Sequence, residues 1–303
     1  MPTKPKKRRP RRPSKSAKPE TGLLFPLPER SDTEPSIPPL IYPVWTESKA
    51  NFIARYLYYF VLVTKHGVYI DAFAGPQQRD KPGMWAAQLV LDNRPPYLRS
   101  FYFMENDPKK VKLLENLRDV QPKDIERTIE IYEGDCNVGI QNLLQSRVIK
   151  EREATFCLLD QHTFECKWQT LERLARYKSS SYKIELFYFL CNSWLARALT
   201  ALQDRQRAVD WWGAEDVEKL RAMTPEQRAN LMAKRFKDEL GYKYASPYPI
   251  CERKDGGNVM FYMIHATDHL AAPTLMGRAY NKAVSPREPL EQLKLELGIE
   301  TIE

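Results

Sequence analysis

The sequence predicts an α/β fold: a mostly parallel, seven-stranded sheet with a terminal antiparallel hairpin and a helical insertion before it. Three observations carry this. Short apolar runs alternate with helical segments five times between Val68 and Leu202, which is the pattern of a parallel sheet covered on both faces. Two later apolar runs flank Asp255-Gly256-Gly257-Asn258, a turn chemistry that favours a β-hairpin. Between these regions, residues about 208–240 are polar, helical and carry Trp211 and Trp212.

Residues 45–65 open the fold as an amphipathic helix, with Phe52, Ile53, Tyr56, Leu57, Phe60 and Val63 at three- and four-residue spacing and Gly67 as the expected stop. Residues 68–73 form a short apolar run that enters the turn Ala74-Gly75-Pro76, as a buried strand does. Four more pairs follow. Strand-like residues 98–104 lead into a helix over 108–120, 128–132 into 138–146, 155–159 into 168–177, and 184–191 into 194–202. Residues 248–253 and 259–266 are the two hairpin strands.

The chain has 303 residues, enough to bury a sizeable core, and 43% of them are apolar, too many for a wholly disordered chain. Its longest uncharged apolar run, residues 56–63, is far short of the roughly 20 residues that cross a bilayer. The net charge is +8, and the excess sits at one end. Residues 1–18 hold nine basic side chains, including Lys6, Lys7, Arg8, Arg9, Arg11 and Arg12, and no acidic one, which leaves the remainder near neutral. Ten of the 23 prolines precede residue 41. Residues 1–41 are therefore expected to be a disordered, basic, Pro-rich tail and 42–303 the folded domain. No apolar core follows the basic residues, so the tail does not read as a signal peptide. Such a block binds nucleic acid by releasing counterions from phosphates, or serves only as a solubilising appendage. The five cysteines lie mostly in apolar runs and read as reduced core thiols of a cytoplasmic protein.

A parallel sheet closed by a terminal hairpin is the Rossmann-like layout of class I S-adenosylmethionine-dependent methyltransferases, and the hairpin separates it from a dinucleotide-binding domain. In open α/β sheets the ligand lies beyond the carboxyl ends of the strands, where strand order reverses. The first such end is Asp71-Ala72-Phe73-Ala74-Gly75-Pro76-Gln77. Asp71 suits the amino group of a bound amino-acid moiety, and Gly75 permits close backbone approach. Glu105, at the second, suits two ribose hydroxyls. At the third, Asp135 suits an adenine amine and the Cys136 amide a ring nitrogen. The fourth, Asp160-Gln161-His162-Thr163-Phe164, faces the reacting methyl. Acidic residues after strands also cap helices, so Asp107 and Asp135 carry that reading equally.

These residues resemble the bacterial three-Cys-motif partner proteins (TcmP), which have a methyltransferase-like fold. The resemblance spans roughly residues 45–284 and rests on Trp45, Lys49 and Tyr56 in the opening helix, on residues 69–76, and on Ala266-Thr267-Asp268-His269 with Leu275-Met276. It implies S-adenosylmethionine binding through Asp71, Phe73, Gly75, Glu105, Asp135 and Cys136, with Asp160, His162 and Phe164 at the acceptor. It also implies a protein partner, since the family is named for cysteines in a protein encoded nearby. Two positions depart from the family pattern. Gln77 stands where glycine is usual, and Gln161-His162 replaces the proline and aromatic residue of an amine-holding loop.

The expected function is methyl transfer from S-adenosylmethionine to a nucleic acid, with no metal. The alternative is a non-catalytic cofactor-binding or partner-binding protein that keeps the fold with a degenerate acceptor loop. His162 suits a general base by its unperturbed pKa, or is a plain loop residue. His265, Asp268 and His269 lack a zinc pattern and read as packing or capping, as do Cys157 and Cys166. Trp211 and Trp212 either stack on bases or pin the insertion to the body.

Overall fold

The structure, a computed structural model, describes residues 44–45, 48–77, 82–192, 194–253 and 256–283, all within one compact unit. The basic tail, with Lys6, Lys7, Arg8, Arg9, Arg11 and Arg12, lies outside these residues.

One eight-stranded sheet organises the domain. In chain order its strands are β1 (Val44–Trp45), β2 (Gly67–Asp71), β3 (Leu98–Glu105), β4 (Thr128–Glu133), β5 (Thr155–Leu159), β6 (Glu185–Cys191), β7 (Tyr244–Arg253) and β8 (Gly256–Thr267). They lie side by side in the order β1-β7-β8-β6-β5-β2-β3-β4. The run β4-β3-β2-β5-β6 is parallel, whereas β8 is antiparallel to both β6 and β7. This is the class I methyltransferase fold, with the expected seven strands and, in addition, the two-residue β1 on the outer edge of β7. Strands β2, β5 and β6 are buried along their whole length, as sheets covered on both faces require. Edge strand β4 instead has exposed and half-buried residues.

The helices are α1 (Lys49–Thr64), α2 (Ala86–Leu91), α3 (Pro108–Asp119), α4 (Cys136–Ser146), α5 (Trp168–Arg176), α6 (Leu195–Ala201), α7 (Arg205–Trp212), α8 (Pro225–Asp238) and α9 (Ala272–Asn281). Two expectations about α1 are corrected. Trp45 pairs with Cys251 as a strand residue before the helix, and Lys65, at φ +59°, ends the helix in the left-handed region, while Gly67 begins β2. Gly67 is required for space: a Cβ there would lie 3.0 Å from the Leu98 side chain and 3.2 Å from the Ala154 carbonyl. Helices α2 and α9 and strand β1 were not expected from the sequence.

Between β6 and β7 the chain forms α6, α7, a 3-10 helix at Glu215–Arg221, and α8. Trp211 and Trp212 are each 1% exposed, which selects their packing role. The Arg235 guanidinium lies over the Trp168 ring at 3.8 Å and over Trp212 at 4.1 Å. Gly213, at φ +79°, ends α7 where a Cβ would meet Trp168 at 2.4 Å. All five cysteines are buried thiols outside any disulfide, as read from the sequence. No helix among the described residues is long and apolar enough to cross a membrane.

Candidate cofactor and acceptor site

Strand order reverses at β2, whose neighbours are β3 and β5, so the carboxyl ends of β2 and β5 flank the crevice that such sheets use for ligands. Asp71 ends β2, opposite Phe103 and Leu158, and is 1% exposed. Its carboxylate accepts from the Tyr69 hydroxyl at 2.9 Å and from the Phe73 amide at 3.1 Å. Burial nevertheless pushes its pKa up to about 7, those two bonds opposing the shift and the charges of Asp160 and Glu105 adding to it. A buried carboxyl poised near neutrality would gain most from a cationic ligand.

The chain then turns through half-buried Phe73 and buried Gly75, and Trp85, just before α2, donates from Nε1 to the Ala74 carbonyl at 2.6 Å. Gly75 N–H donates to Glu105 Oε2 at 2.9 Å, and Asp107 N–H donates to Glu105 Oε1, also at 2.9 Å. The carboxylate that ends β3 is thereby oriented at both oxygens, each with lone-pair capacity left for a ribose hydroxyl. A Cβ at 75 would lie 2.1 Å from Glu105 Oε2, so any residue but glycine there must push the Glu105 carboxylate out of this arrangement.

After β4, Gly134 at φ +118° allows the turn into α4. Asp135 caps that helix, its Oδ1 accepting from the Asn137 amide at 2.8 Å and the Val138 amide at 3.3 Å. Asp107 caps α3 through the Lys109 amide at 2.8 Å. The capping reading thus holds for both, without removing the remaining acceptor capacity of Asp135. Cys136 is 5% exposed, and burial pushes its thiol up to about 12, so it presents only its backbone. Asn137 ties this corner to the acceptor loop, its Nδ2 donating to the Glu165 carbonyl at 2.8 Å and its Oδ1 accepting from the Lys167 amide at 2.9 Å.

Asp160 follows β5. Its Oδ1 is 2.7 Å from Lys49 Nζ, and its Oδ2 accepts from Gln77 Nε2 at 3.1 Å. Lys49, from the first turn of α1, is nearly buried and lies over the rings of Phe189 and Phe261 at 4.7 and 5.0 Å. Gln161, standing where a stiff proline was expected, staples the loop. Its Oε1 accepts from the Cys166 amide at 3.0 Å and its Nε2 donates to the Phe189 carbonyl. His162 is exposed, with its ring 4.8 Å from that of Trp194. Phe164, expected to face an acceptor, is 4% exposed and packs edge-on against Trp211 at 5.1 Å.

Asp71, Phe73, Gly75, Gln77 and Asp160 thus meet at one crevice with Lys49 and Trp85, and Glu105 reaches it through the Gly75 amide. The cavity they enclose is about 20 Å³, room for roughly one water, so binding a nucleoside-sized ligand requires the crevice to widen. Lys49 and Gln161 are site residues that sequence reasoning missed. The available signal was Lys49, one of two cations on an otherwise largely apolar helix, and a polar residue in a loop that prefers proline. Among the described residues, no group of three or more His, Cys, Asp or Glu side chains gathers as for a metal.

No protein-family model matches the chain, and no curated protein matches it. Several solved structures do. TYW2 from M. jannaschii, in complex with AdoMet, is 14% identical over 72% of this chain and 75% of its own, with a TM-score of 0.35. Trm1 from Pyrococcus horikoshii, with S-adenosyl-L-methionine, is 12% identical over 80% of this chain and 61% of its own, at 0.43. A DUF574 family protein from Streptomyces avermitilis is 14% identical over 73% and 83%, at 0.40. At these identities and scores the likenesses bear on neither substrate nor residue roles.

Proposed function

We propose that the chain binds S-adenosylmethionine at this crevice and transfers its methyl group to a nucleic acid. The supporting observation is that Asp71, Glu105, Asp135 and Asp160 end, or follow within two residues, four adjacent parallel strands on one edge of the sheet, across the point where strand order reverses.

The residues fit the cofactor chemically. Asp71 takes the amino group of its methionine end, Gly75 leaves the space that a Cβ would fill, Glu105 takes both ribose hydroxyls, and Asp135 with the Cys136 amide faces the adenine. Bound there, the cofactor supplies an electrophilic sulfonium methyl. Asp160 holds the acceptor amine once an incoming group displaces Gln77 or Lys49, His162 takes a proton at the open mouth, and Phe164 buttresses the loop through Trp211. Positioning and exclusion of water supply most of the rate in such a displacement. Lys6, Lys7, Arg8, Arg9, Arg11 and Arg12 contact phosphates. The resemblance to bacterial three-Cys-motif partner proteins, a cytoplasmic setting and a protein partner belong to this reading.

Calorimetric titration with S-adenosylmethionine, with Glu105→Ala as control, tests the first half: micromolar binding that the variant loses is expected. Incubation with labelled cofactor and separate pools of tRNA, ribosomal RNA and DNA tests the second. Deleting residues 1–18 should weaken nucleic-acid binding and flatten its salt dependence by roughly 0.9 in log–log slope for each phosphate that is no longer neutralised. One observation favours a second reading, a binding protein without transfer: the intramolecular clamp of Lys49 and Gln77 on Asp160 already fills the acceptor position. Cofactor binding with no label in any pool would select it.

A further inference from the structure

A second cavity, of about 270 Å³, opens at the opposite edge of the sheet. Thr155 and Glu185, the first residues of β5 and β6, lie on its wall, so it is one strand length, roughly 16 Å, from the crevice at Asp160. The volume falls just below the roughly 300–1,000 Å³ usual for small-molecule sites, which suits a one- or two-ring ligand.

Its lining is of two kinds. Phe60, Val63, Ala272 and Leu275 give an apolar wall, with the Tyr182 ring at the rim. Lys178 lines the same cavity, 6% exposed, and its Nζ donates to the Glu153 carbonyl and, at 2.9 Å, to Thr155 Oγ1. An ammonium has three protons, and among the described residues no carboxylate lies within 4.0 Å of this one. Burial holds its pKa down to about 8, and the more distant charges of Glu153 and Glu151 oppose that shift. Lys183, also on the wall, is held by Asp268 at 3.3 Å. The cavity's buried carboxylate is already satisfied: Glu185 accepts from the Tyr56 hydroxyl and from Thr267 Oγ1 at 2.9 Å, and lies 2.9 Å from His265 Nε2. Glu153 also lines the cavity, but its carboxylate accepts from the Lys150 amide and makes no ion pair with Lys178, so what the cavity lacks is an anion in contact with that ammonium, on a body that covers the apolar wall.

We infer that this cavity is a binding site for a small aromatic carboxylate, its carboxylate paired with Lys178 and its ring laid against Phe60, Val63 and Leu275. The ring fits the same space that a buried, unpaired cation makes costly to leave to water alone, and the charge-assisted bond orients it.

The test is calorimetric titration of the full chain with indole-3-acetate and, in parallel, with the neutral indole-3-acetamide. The acid should bind with a sub-millimolar Kd, and the amide about tenfold or more weaker. Lys178→Met should reduce the preference for the acid to near unity, and Leu275→Trp should abolish binding of both. Failure of indole-3-acetate, phenylacetate and benzoate alike to bind below about 5 mM overturns the assignment, as does equal affinity for acid and amide. If Lys178→Met does not fold, judged by circular dichroism, the acid-to-amide ratio on the unaltered chain decides alone. This outcome is independent of whether S-adenosylmethionine binds.

Discussion

Lys49 Nζ and Asp160 Oδ1, 111 residues apart in the chain, form a nearly buried ion pair at 2.7 Å that fastens the first helix to the loop after β5. Removing one partner leaves the other charge in a site of low polarity, which costs more than the pair itself contributes. Lys49→Met should destabilise the fold by about 3 kcal/mol, whereas Lys49→Met with Asp160→Asn should recover much of that loss. Urea unfolding of the four proteins in the double-mutant cycle measures the coupling. Additive losses would show that the pair is not a unit.

Asp71 makes the unliganded fold pH-dependent. Its folded pKa, about 7, lies above the ordinary 3.8, so the native state holds a proton that the unfolded chain releases earlier. The stability from this group is fully present below about pH 4 and is lost as pH rises through 7. Asp71→Asn should flatten that part of the stability profile, seen as Tm between pH 5 and 8. A cationic ligand favours the carboxylate, so S-adenosylmethionine affinity should rise by up to about tenfold per pH unit below 7, with proton release. Titrations in two buffers of different ionisation enthalpy measure the release directly.

Gly75→Ala should abolish cofactor binding, since the new Cβ would displace the Glu105 carboxylate from its two backbone amides. Gly83→Ala is the matched control. A Cβ there meets nothing within 4 Å. Equal cofactor affinity in the two variants would sink the role assigned to Glu105.

Arg235 holds the region between β6 and β7 together. It is stacked on Trp168 and Trp212 and bonded by Nε and Nη2 to the two oxygens of Glu239, each at 2.6 Å. Arg235→Lys keeps the charge but loses the flat surface and the paired donors. It should cost about 2 kcal/mol, and thermal unfolding with tryptophan fluorescence would register the loss. An unchanged Tm would place the anchoring elsewhere.

The parallel half of the sheet was legible because burial on both faces forces continuous apolar runs, and Thr155–Leu159 reads from the sequence to the residue. Strand β1 was not, because two residues carry no periodicity and Val44 and Trp45 become a strand only by pairing with Ile250 and Cys251. The brevity of α2, six residues, hid it in the same way. The strand-end carboxylates were visible one by one, since each follows its own apolar run. The clamp on Asp160 was not, because no local pattern announces that residues 49, 77 and 160 converge. Phe164 shows the same limit: an aromatic residue in a loop looks free until Trp211 is known to cover it.

Helix α1 runs from Lys49, clamped to Asp160, past Tyr56 on the Glu185 carboxylate to Phe60 and Val63 on the wall of the second cavity. From Lys49 to Val63 is about 21 Å of one unbroken helix. One element thus borders both places. A cargo wedged against Phe60 and Val63 would lean on the same beam whose far tip is the ammonium that stoppers the crevice.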